Sequence, residues 1–346
     1  MRAWLCLWLL IVLPAAAHEE PTSYVEAMPD ADGLTVSITA SATDLAHYLP
    51  AADTAMLVRP DTLEIQGPAL HALVQQRLRI TGLTLDPVKA EAIPEKSYVR
   101  LEFRAAWPAE PATMEMECDL FPYDPRHRTF VIVRREGAVE STHIFHRDAT
   151  RAVLPLGKPQ STGESMRRFF GEGIHHIFIG PDHILFVIGL LLLGGGAGKL
   201  LKLVTAFTVA HSITLGLATF QILTPPASLI EPVIALSIVL VGIHAVLPGP
   251  RRDPRLIFAF LFGLIHGFGF AFALGDLNLP PAALGWSLFA FNGGVEAGQA
   301  CIVLVAAPVL AMLRYHSPRM SERIITACAA CVIMAGTFWF VERIAA

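Results

Sequence analysis

Residues 175–183 read His175-His176-Ile-Phe-Ile-Gly180-Pro181-Asp182-His183, and they open an apolar run long enough to enter a membrane. An aspartate or histidine inside hydrocarbon is costly unless it is paired, hydrated or metal-bound, so it marks a functional site by default. Proline cannot continue the backbone hydrogen bonds of a helix, so Gly180-Pro181 predicts a break or kink beside these side chains. The function depends on whether they have partners on other helices.

The apolar run is one of six hydrophobic segments, each near the ~20 residues that a membrane crossing needs. The segments are 174–193, 203–223, 229–248, 255–276, 282–313 and 320–341. The fifth is long and interrupted by glycines, so it could be kinked or partly re-entrant. Basic residues occur in the first, third and fifth loops and not in the second and fourth: Lys199, Lys202, Arg251, Arg252, Arg255, Arg314, Arg319 and Arg323. By the positive-inside rule, this alternation predicts six helices that enter from outside and end outside.

The composition supports a membrane protein with a separate soluble part. The chain is 53% hydrophobic and 16% charged, with a mean hydropathy of +0.52, which is too apolar for one soluble domain. Residues 18–160 nevertheless hold 14 Lys+Arg and 21 Asp+Glu, a formal charge of −7, whereas residues 161–346 hold 11 and 9. We therefore expect a signal peptide over 1–17, a periplasmic β-rich domain over 18–160 and a six-helix transmembrane domain over 161–346.

The N-terminus has the pattern of a secretory signal. Arg2 precedes an apolar core over residues 4–13 that is too short to span a membrane, and Ala15-Ala16-Ala17 suits a signal peptidase. An uncleaved anchor is the alternative. Cleavage after Ala17 would leave His18 as the first residue. Its amine and imidazole could then chelate a metal such as copper. Alternatively, His18 has no role and only marks the point of cleavage. These features predict a multi-pass protein of a bacterial inner membrane, with its N-terminal domain and its C-terminus in the periplasm.

Short alternating runs predict that the exported domain is a β-sandwich. Four such runs cover residues 33–40, 98–105, 113–120 and 129–134. Residues 43–49 suggest a short helix, and residues 155–163 read as the linker to the membrane domain. Cys118 is the only cysteine between residues 18 and 160, so a disulfide within the exported domain is excluded.

Polar residues recur at similar depths in four of the apolar segments. At ~1.5 Å per residue, they lie about 12 to 21 Å from the entry of their helices. They are Asp182, His183, His211, His266, Asn292 and Glu296. Since each would be costly facing lipid, we expect all of them to turn inward and meet, with His176 two helical turns before His183 and on the same face. Imidazoles with carboxylates suit Ni(II), Co(II), Zn(II) or Cu(II), and neutral imidazoles could also relay protons.

These segments resemble the HupE/UreJ family of membrane proteins, which is associated with the uptake of nickel and related metals. The family's first-helix motif has the form H-P-x-x-G-x-D-H, and here Ile177 stands where the family has proline. The other matching segments are Thr205–Ser212, Phe262–Gly267 and Phe291–Gln299, which look like the branch with a signal peptide and an exported domain. The resemblance covers residues 170–340 and implies nickel or cobalt as the ion.

The leading hypothesis is a metal permease rather than an enzyme. A divalent transition metal ion, with nickel or cobalt favoured and copper or zinc as alternatives, would bind transiently to His176, Asp182, His183, His211, His266, Asn292 and Glu296. A metal-dependent intramembrane hydrolase and a copper- or nickel-handling assembly factor are the alternatives. The expected partners are the metal ion and the lipid bilayer, with no nucleic acid, and a homo-oligomer stays open. The chain has no GxxxxGK[ST] phosphate-binding loop, so coupling to ATP would need another chain.

Overall fold

The computed structural model describes residues 21–49, 54–94, 97–107, 111–136, 138–157, 161–247, 253–269 and 281–345. The predicted signal peptide and His18 lie outside these ranges. The described chain divides into two compact units, with the boundary between Ser165 and Met166. The first unit is β-rich and the second is helical.

The β-rich unit contains nine described strands in two sheets. They are β1 (Thr22–Pro29), β2 (Gly33–Ser41), β3 (Leu78–Ile80), β4 (Asp86–Ile93), β5 (Tyr98–Ala106), β6 (Thr113–Cys118), β7 (Arg128–Arg135), β8 (Ala138–Phe145) and β9 (Arg151–Pro155). The six-stranded sheet has the order β4-β5-β2-β1-β7-β8 and the three-stranded sheet the order β3-β6-β9. Only the β1–β7 pair among these is parallel. All four runs that predicted strands are strands.

The two sheets share one hydrophobic core. Val36 and Phe103 from the larger sheet are fully buried with Met116 from the smaller one. Helices α1 (Ala42–Ala46) and α2 (Thr54–Leu57) are short, and α1 agrees with the helix predicted over residues 43–49. The domain is therefore β-rich, as expected, and the sandwich topology stays a prediction.

An 18-residue helix, α3 (Pro60–Arg77), had no counterpart in the sequence prediction. Its buried residues, including Leu63, Leu70 and Val74, recur every three or four positions, as one face of a helix requires. Pro68 lies in the middle of this pattern, and an internal proline normally argues against a helix. The periodic signal was thus present but interrupted by a residue that usually ends such an element.

The helical unit contains seven described helices. They are α4 (Thr162–Ile179), α5 (Pro181–Leu192), α6 (Ala197–Thr219), α7 (Ala227–Val246), α8 (Arg255–Gly269), α9 (Pro281–His316) and α10 (Pro318–Ala345). By length and composition α6, α7, α9 and α10 could each cross a membrane, and the bent pair α4–α5 is a fifth candidate. The fourth predicted segment, 255–276, contains α8, an apolar helix of 15 described residues, and its residues 270–276 lie outside the described ranges. Six spans therefore stay a prediction, and the fifth segment, which could be kinked or partly re-entrant, forms one continuous helix, α9.

Glycines let the helices of this unit approach closely. A Cβ at Gly294 of α9 would collide with the carbonyl of Phe170 on α4, and one at Gly298 would press on Ile177. The residue numbers on both helices increase from the first contact to the second, so α4 and α9 are parallel. Glycines four residues apart, here Gly294 and Gly298, permit this close contact between two helices.

A second glycine pair brings α8 against α6. Gly263 faces the carbonyl of Phe207, and Gly267 faces that of His211, so these helices are also parallel. In contrast, α10 runs antiparallel to α7, with Gly336 beside Val239. These directions are those expected of segments that alternate in direction along the chain.

Arginines hold the C-terminal end of α5. The guanidinium of Arg314 donates to the carbonyl of Leu192 at 2.8 Å, and that of Arg255 donates to the carbonyl of Gly194 at 2.5 Å. Asp253 pairs with both Arg255 and Lys199. Cations at a helix C-terminus are favoured by the helix dipole. This end of the unit, called the basic end below, carries the residues that the positive-inside rule places in the cytoplasm.

Candidate metal site

The predicted break lies at Gly180, between α4 and α5. The two helices are bent by 71°, and Pro181 takes the first position of α5, where a missing N–H costs nothing. The Gly180 N–H donates to the carbonyl of His176 at 2.9 Å, which closes the last turn of α4. The break places the N-terminus of α5, and the first two polar residues on it, inside the helical unit.

Asp182 and His183 form a bonded pair in the first turn of α5. Asp182 Oδ1 accepts the His183 backbone N–H at 2.9 Å and lies 3.1 Å from His183 Nδ1. A carboxylate at a helix N-terminus is stabilised by the helix dipole. With Nδ1 donating to the carboxylate, His183 is left with Nε2 as the nitrogen that carries a lone pair.

His183 is the centre of a group of four histidines. Its ring centroid lies 4.6 Å from that of His176, 5.1 Å from His266 and 6.1 Å from His211. All four side chains are buried, with exposures between 0 and 5%. The structure therefore brings five of the seven predicted ligands, namely the four histidines and Asp182, together from α4, α5, α6 and α8.

The donor set is suited to a transition metal ion. One potential ligand atom from each of Asp182, His183 and His266 lies within 4.8 Å of the others. Within the described ranges, no hydrogen-bond partner is found for His183 Nε2, for His266 Nδ1, or for either ring nitrogen of His211. An unsatisfied buried polar group costs about 1–3 kcal/mol. A bound ion would take the lone pair of one nitrogen from each of these rings, so the residues present fit a metal.

Sequence reasoning missed Ser237 of α7, which touches this group. Its Oγ lies 2.9 Å from His266 Nε2 and 2.6 Å from the carbonyl of Ile234. Ser237 is 1% exposed. The only sequence signal was a serine in the apolar middle of α7, and such a hydroxyl usually needs no more than a backbone carbonyl of its own helix.

The other two predicted ligands, Asn292 and Glu296 of α9, form hydrogen bonds with residues outside the group of histidines. The Asn292 amide donates to the carbonyl of Leu288 at 2.9 Å, and Glu296 Oε1 accepts from the hydroxyl of Thr205 on α6 at 2.5 Å. One helical turn further on, Thr208 lies 3.1 Å from Gln299 Oε1. These polar pairs join α6 to α9. Phe291, the residue before Asn292, contacts the group of histidines, since its ring lies 5.4 Å from that of His176.

Three phenylalanines form a layer beside the histidines. Each lies three or four residues from a site histidine, on the side towards the basic end. Phe186 follows His183, Phe207 precedes His211, and Phe262 precedes His266. The Phe186 ring lies 5.1 Å from that of Phe207 and 5.7 Å from that of Phe262. This aromatic layer contacts His266 directly, with ring distances of 5.2 Å from Phe207 and 5.4 Å from Phe186.

The β-rich unit has a buried polar group of its own. Ser23 Oγ lies 2.9 Å from His127 Nε2, Asp44 Oδ2 lies 3.8 Å from His127 Nδ1, and Tyr123 donates to Asp44 Oδ1 at 2.6 Å. Ser23 is completely buried, so a substrate could not reach its hydroxyl. Burial lowers the pKa of His127 to about 3. These residues stabilise the fold around a neutral histidine.

A family model described as HupE / UreJ protein matches residues 155–343, more than half of the chain. No curated protein matches the sequence. The matched region contains every residue of the candidate metal site.

Proposed function

The chain belongs to the HupE/UreJ family, and from that premise we propose that it transports a divalent transition metal ion, nickel or cobalt, across a bacterial inner membrane. The ion would bind to the group of four histidines and Asp182. Nickel and cobalt follow from the family, and the nitrogen-rich donor set is compatible with both.

One observation carries the proposal. Asp182, His183 and His266 each place a potential ligand atom within 4.8 Å of the others, and His183 Nε2, His266 Nδ1 and both ring nitrogens of His211 are buried without a hydrogen-bond partner among the described residues. An apolar helical unit has no structural need for such a costly arrangement. Ligands that come from four separate helices also allow release, because a small helix movement changes how many of them can reach one ion.

Asn292 and Glu296 have a separate role in this proposal. Glu296 Oε2 and Asn292 Oδ1 are buried oxygens without a hydrogen-bond partner in the described part of the chain. Since they lie on α9 beside Phe291, which contacts His176, they would bind the ion transiently on its way to or from the histidines. The negatively charged exported domain would raise the local concentration of cations.

The orientation follows from the loops and the N-terminal signal. We propose that the basic end faces the cytoplasm and that the β-rich domain and the C-terminus are periplasmic. Reporter fusions on both sides of each segment, or labelling of single introduced cysteines by an impermeant reagent, would test this orientation.

Metal accumulation in cells that express the full-length chain tests the function. Asp182→Ala and His183→Ala should each abolish the nickel or cobalt accumulation that the wild-type chain supports, at unchanged protein levels in the membrane. His175→Ala is the matched control, since it removes a neighbouring histidine outside the group. Normal accumulation in both site variants would refute the assignment.

Purified protein separates transport from the alternatives. A transport site should exchange added Ni(II) or Co(II) and lose it on dialysis. A stoichiometric zinc that survives dialysis, together with turnover of a lipid or amide substrate, would favour the intramembrane hydrolase instead. Metal binding by the full chain without accumulation in cells would favour an assembly factor.

A further inference from the structure

Ser237 has two hydrogen-bonding neighbours but only one proton to donate. Its Oγ lies 2.6 Å from the carbonyl oxygen of Ile234 and 2.9 Å from Nε2 of His266. A carbonyl oxygen can only accept, so the hydroxyl proton points to Ile234. Towards His266 the Ser237 oxygen can therefore only accept a hydrogen bond.

This arrangement fixes the tautomer of His266. Because Ser237 accepts, Nε2 must carry the ring proton, and Nδ1 of the neutral imidazole carries the lone pair. His266 Nδ1 is buried and has no hydrogen-bond partner in the ranges that the structure describes. The nitrogen available to an ion is thus Nδ1.

We propose that Ser237 is a positioning residue of the metal site, which holds the His266 ring so that Nδ1 faces the ion. The proposal rests on the proposed function. It gives α7 a part in a site whose predicted ligands all lie on other helices. Partners that bind the second nitrogen of a ligating histidine fix its tautomer and orientation, and their loss typically weakens metal binding 10- to 100-fold.

His183 has the complementary arrangement. Asp182 engages its Nδ1, which leaves Nε2 for an ion, whereas Ser237 engages Nε2 of His266 and leaves Nδ1. The two neighbouring rings thus present different nitrogens, each fixed by a different partner. The ring centroids are 5.1 Å apart, and one potential ligand atom of each ring lies within 4.8 Å of one on the other ring.

Titration of the purified full-length protein with Co(II), followed by the metal's visible absorption bands, tests the proposal. Ser237→Ala should weaken Co(II) binding by about tenfold or more, and Ser237→Thr, which keeps a hydroxyl, should restore most of it. Ser212→Ala is the matched control. The Ser212 hydroxyl likewise donates to a carbonyl of its own helix, that of Thr208 at 2.7 Å, so its removal should leave the affinity unchanged.

A double-mutant cycle distinguishes positioning from general loosening of the helices. If Ser237 acts through His266, Ser237→Ala should cause no further loss of affinity in a His266→Gln background. Unchanged Co(II) affinity in Ser237→Ala, or an equal loss in both backgrounds, would overturn the positioning role and leave the proposed function intact. A wild-type protein that binds no Co(II) or Ni(II) would overturn the proposed function as well.

Discussion

The ring of His176 on α4 packs against the ring of His183 on α5, with their centroids 4.6 Å apart. In a straight helix, seven residues would separate the two positions by ~10.5 Å along the axis. The rings meet because the helix breaks at Gly180 and the chain turns by 71°. The spacing of the two histidines thus predicted the right neighbours, but the bend is what brings them together.

The same break makes Gly180 sensitive to substitution. A Cβ there would lie 2.9 Å from the His176 carbonyl oxygen, 2.9 Å from His183 Nδ1 and 3.2 Å from Asp182 Oδ1. We expect Gly180→Ala to weaken Co(II) binding by tenfold or more, because the ligands must move apart. Gly171→Ala, on the same segment with open space around its Cβ, should leave binding unchanged. Equal affinities in the two variants would contradict this account of the bend.

Adjacent glycines on α9 should differ sharply in their tolerance of alanine. At Gly294 a Cβ would collide with the backbone of Phe170, whereas at Gly293 it would make an ordinary 3.6 Å contact with the Phe170 ring. Gly294→Ala should therefore force α4 from α9 and lower the unfolding temperature of the purified protein. Gly293→Ala should have little effect. The reverse order in a thermal-unfolding assay would show that α4 and α9 do not pack in this register.

Acid should destabilise the β-rich domain through His127. Burial lowers the folded-state pKa of His127 to about 3, below its ordinary value of 6.5, so the unfolded chain binds the proton more readily. Stability is then fully present above pH 6.5 and is lost as the pH falls towards 3. Between pH 7 and pH 5 we expect a loss of about 2 kcal/mol from this residue.

Calorimetric unfolding of the full-length protein at the two pH values would measure that loss. His127→Gln, which cannot titrate, should remove the contribution of this residue, about 2 kcal/mol. Asp30 does not confuse the comparison, because its hydrogen bond with Arg104 holds its pKa at about 2 and keeps it ionised throughout. A pH dependence that persists unchanged in His127→Gln would assign the effect to other groups.

The thiol of Cys118 should be unreactive in the folded protein. It is 1% exposed, and burial raises its pKa to about 12, so the reactive thiolate is absent at pH 8. Mass spectrometry should find no maleimide at Cys118 in the native protein and complete labelling after denaturation. Thr43→Cys, at an exposed position, serves as the positive control for the reagent. Native labelling of Cys118 at the rate of Thr43→Cys would contradict its burial.

Periodicity predicted most of the fold. Alternating residues identified β2, β5, β6 and β7, since one face of each strand lies in the core. Long apolar runs located the helices of the membrane unit. Helix α3 was not predicted because Pro68 interrupts its periodic pattern. Tertiary packing nevertheless keeps this segment helical.

The sequence predicted the depth of the site residues along their helices, but not the direction of each side chain around its helix axis. Depth along each helix correctly suggested that His183, His211 and His266 lie at one level. Depth says nothing about which way a side chain points around its helix axis, so it could not separate these residues from Glu296, which binds Thr205. Ser237 was missed for a different reason, since one polar atom in an apolar helix identifies no partner.

The aromatic layer has a consequence for the electrical environment of the site. Phe186, Phe207 and Phe262 offer neither lone pairs nor exchangeable protons, and Phe186 and Phe207 are each 1% exposed. In this conformation the three rings lie beside the histidines on the side of the basic end. None of the rings can bind a cation through a lone pair or accept a proton from the histidines. The site is therefore asymmetric, since on the side of the basic end these three residues present only aromatic carbon and hydrogen to the histidines.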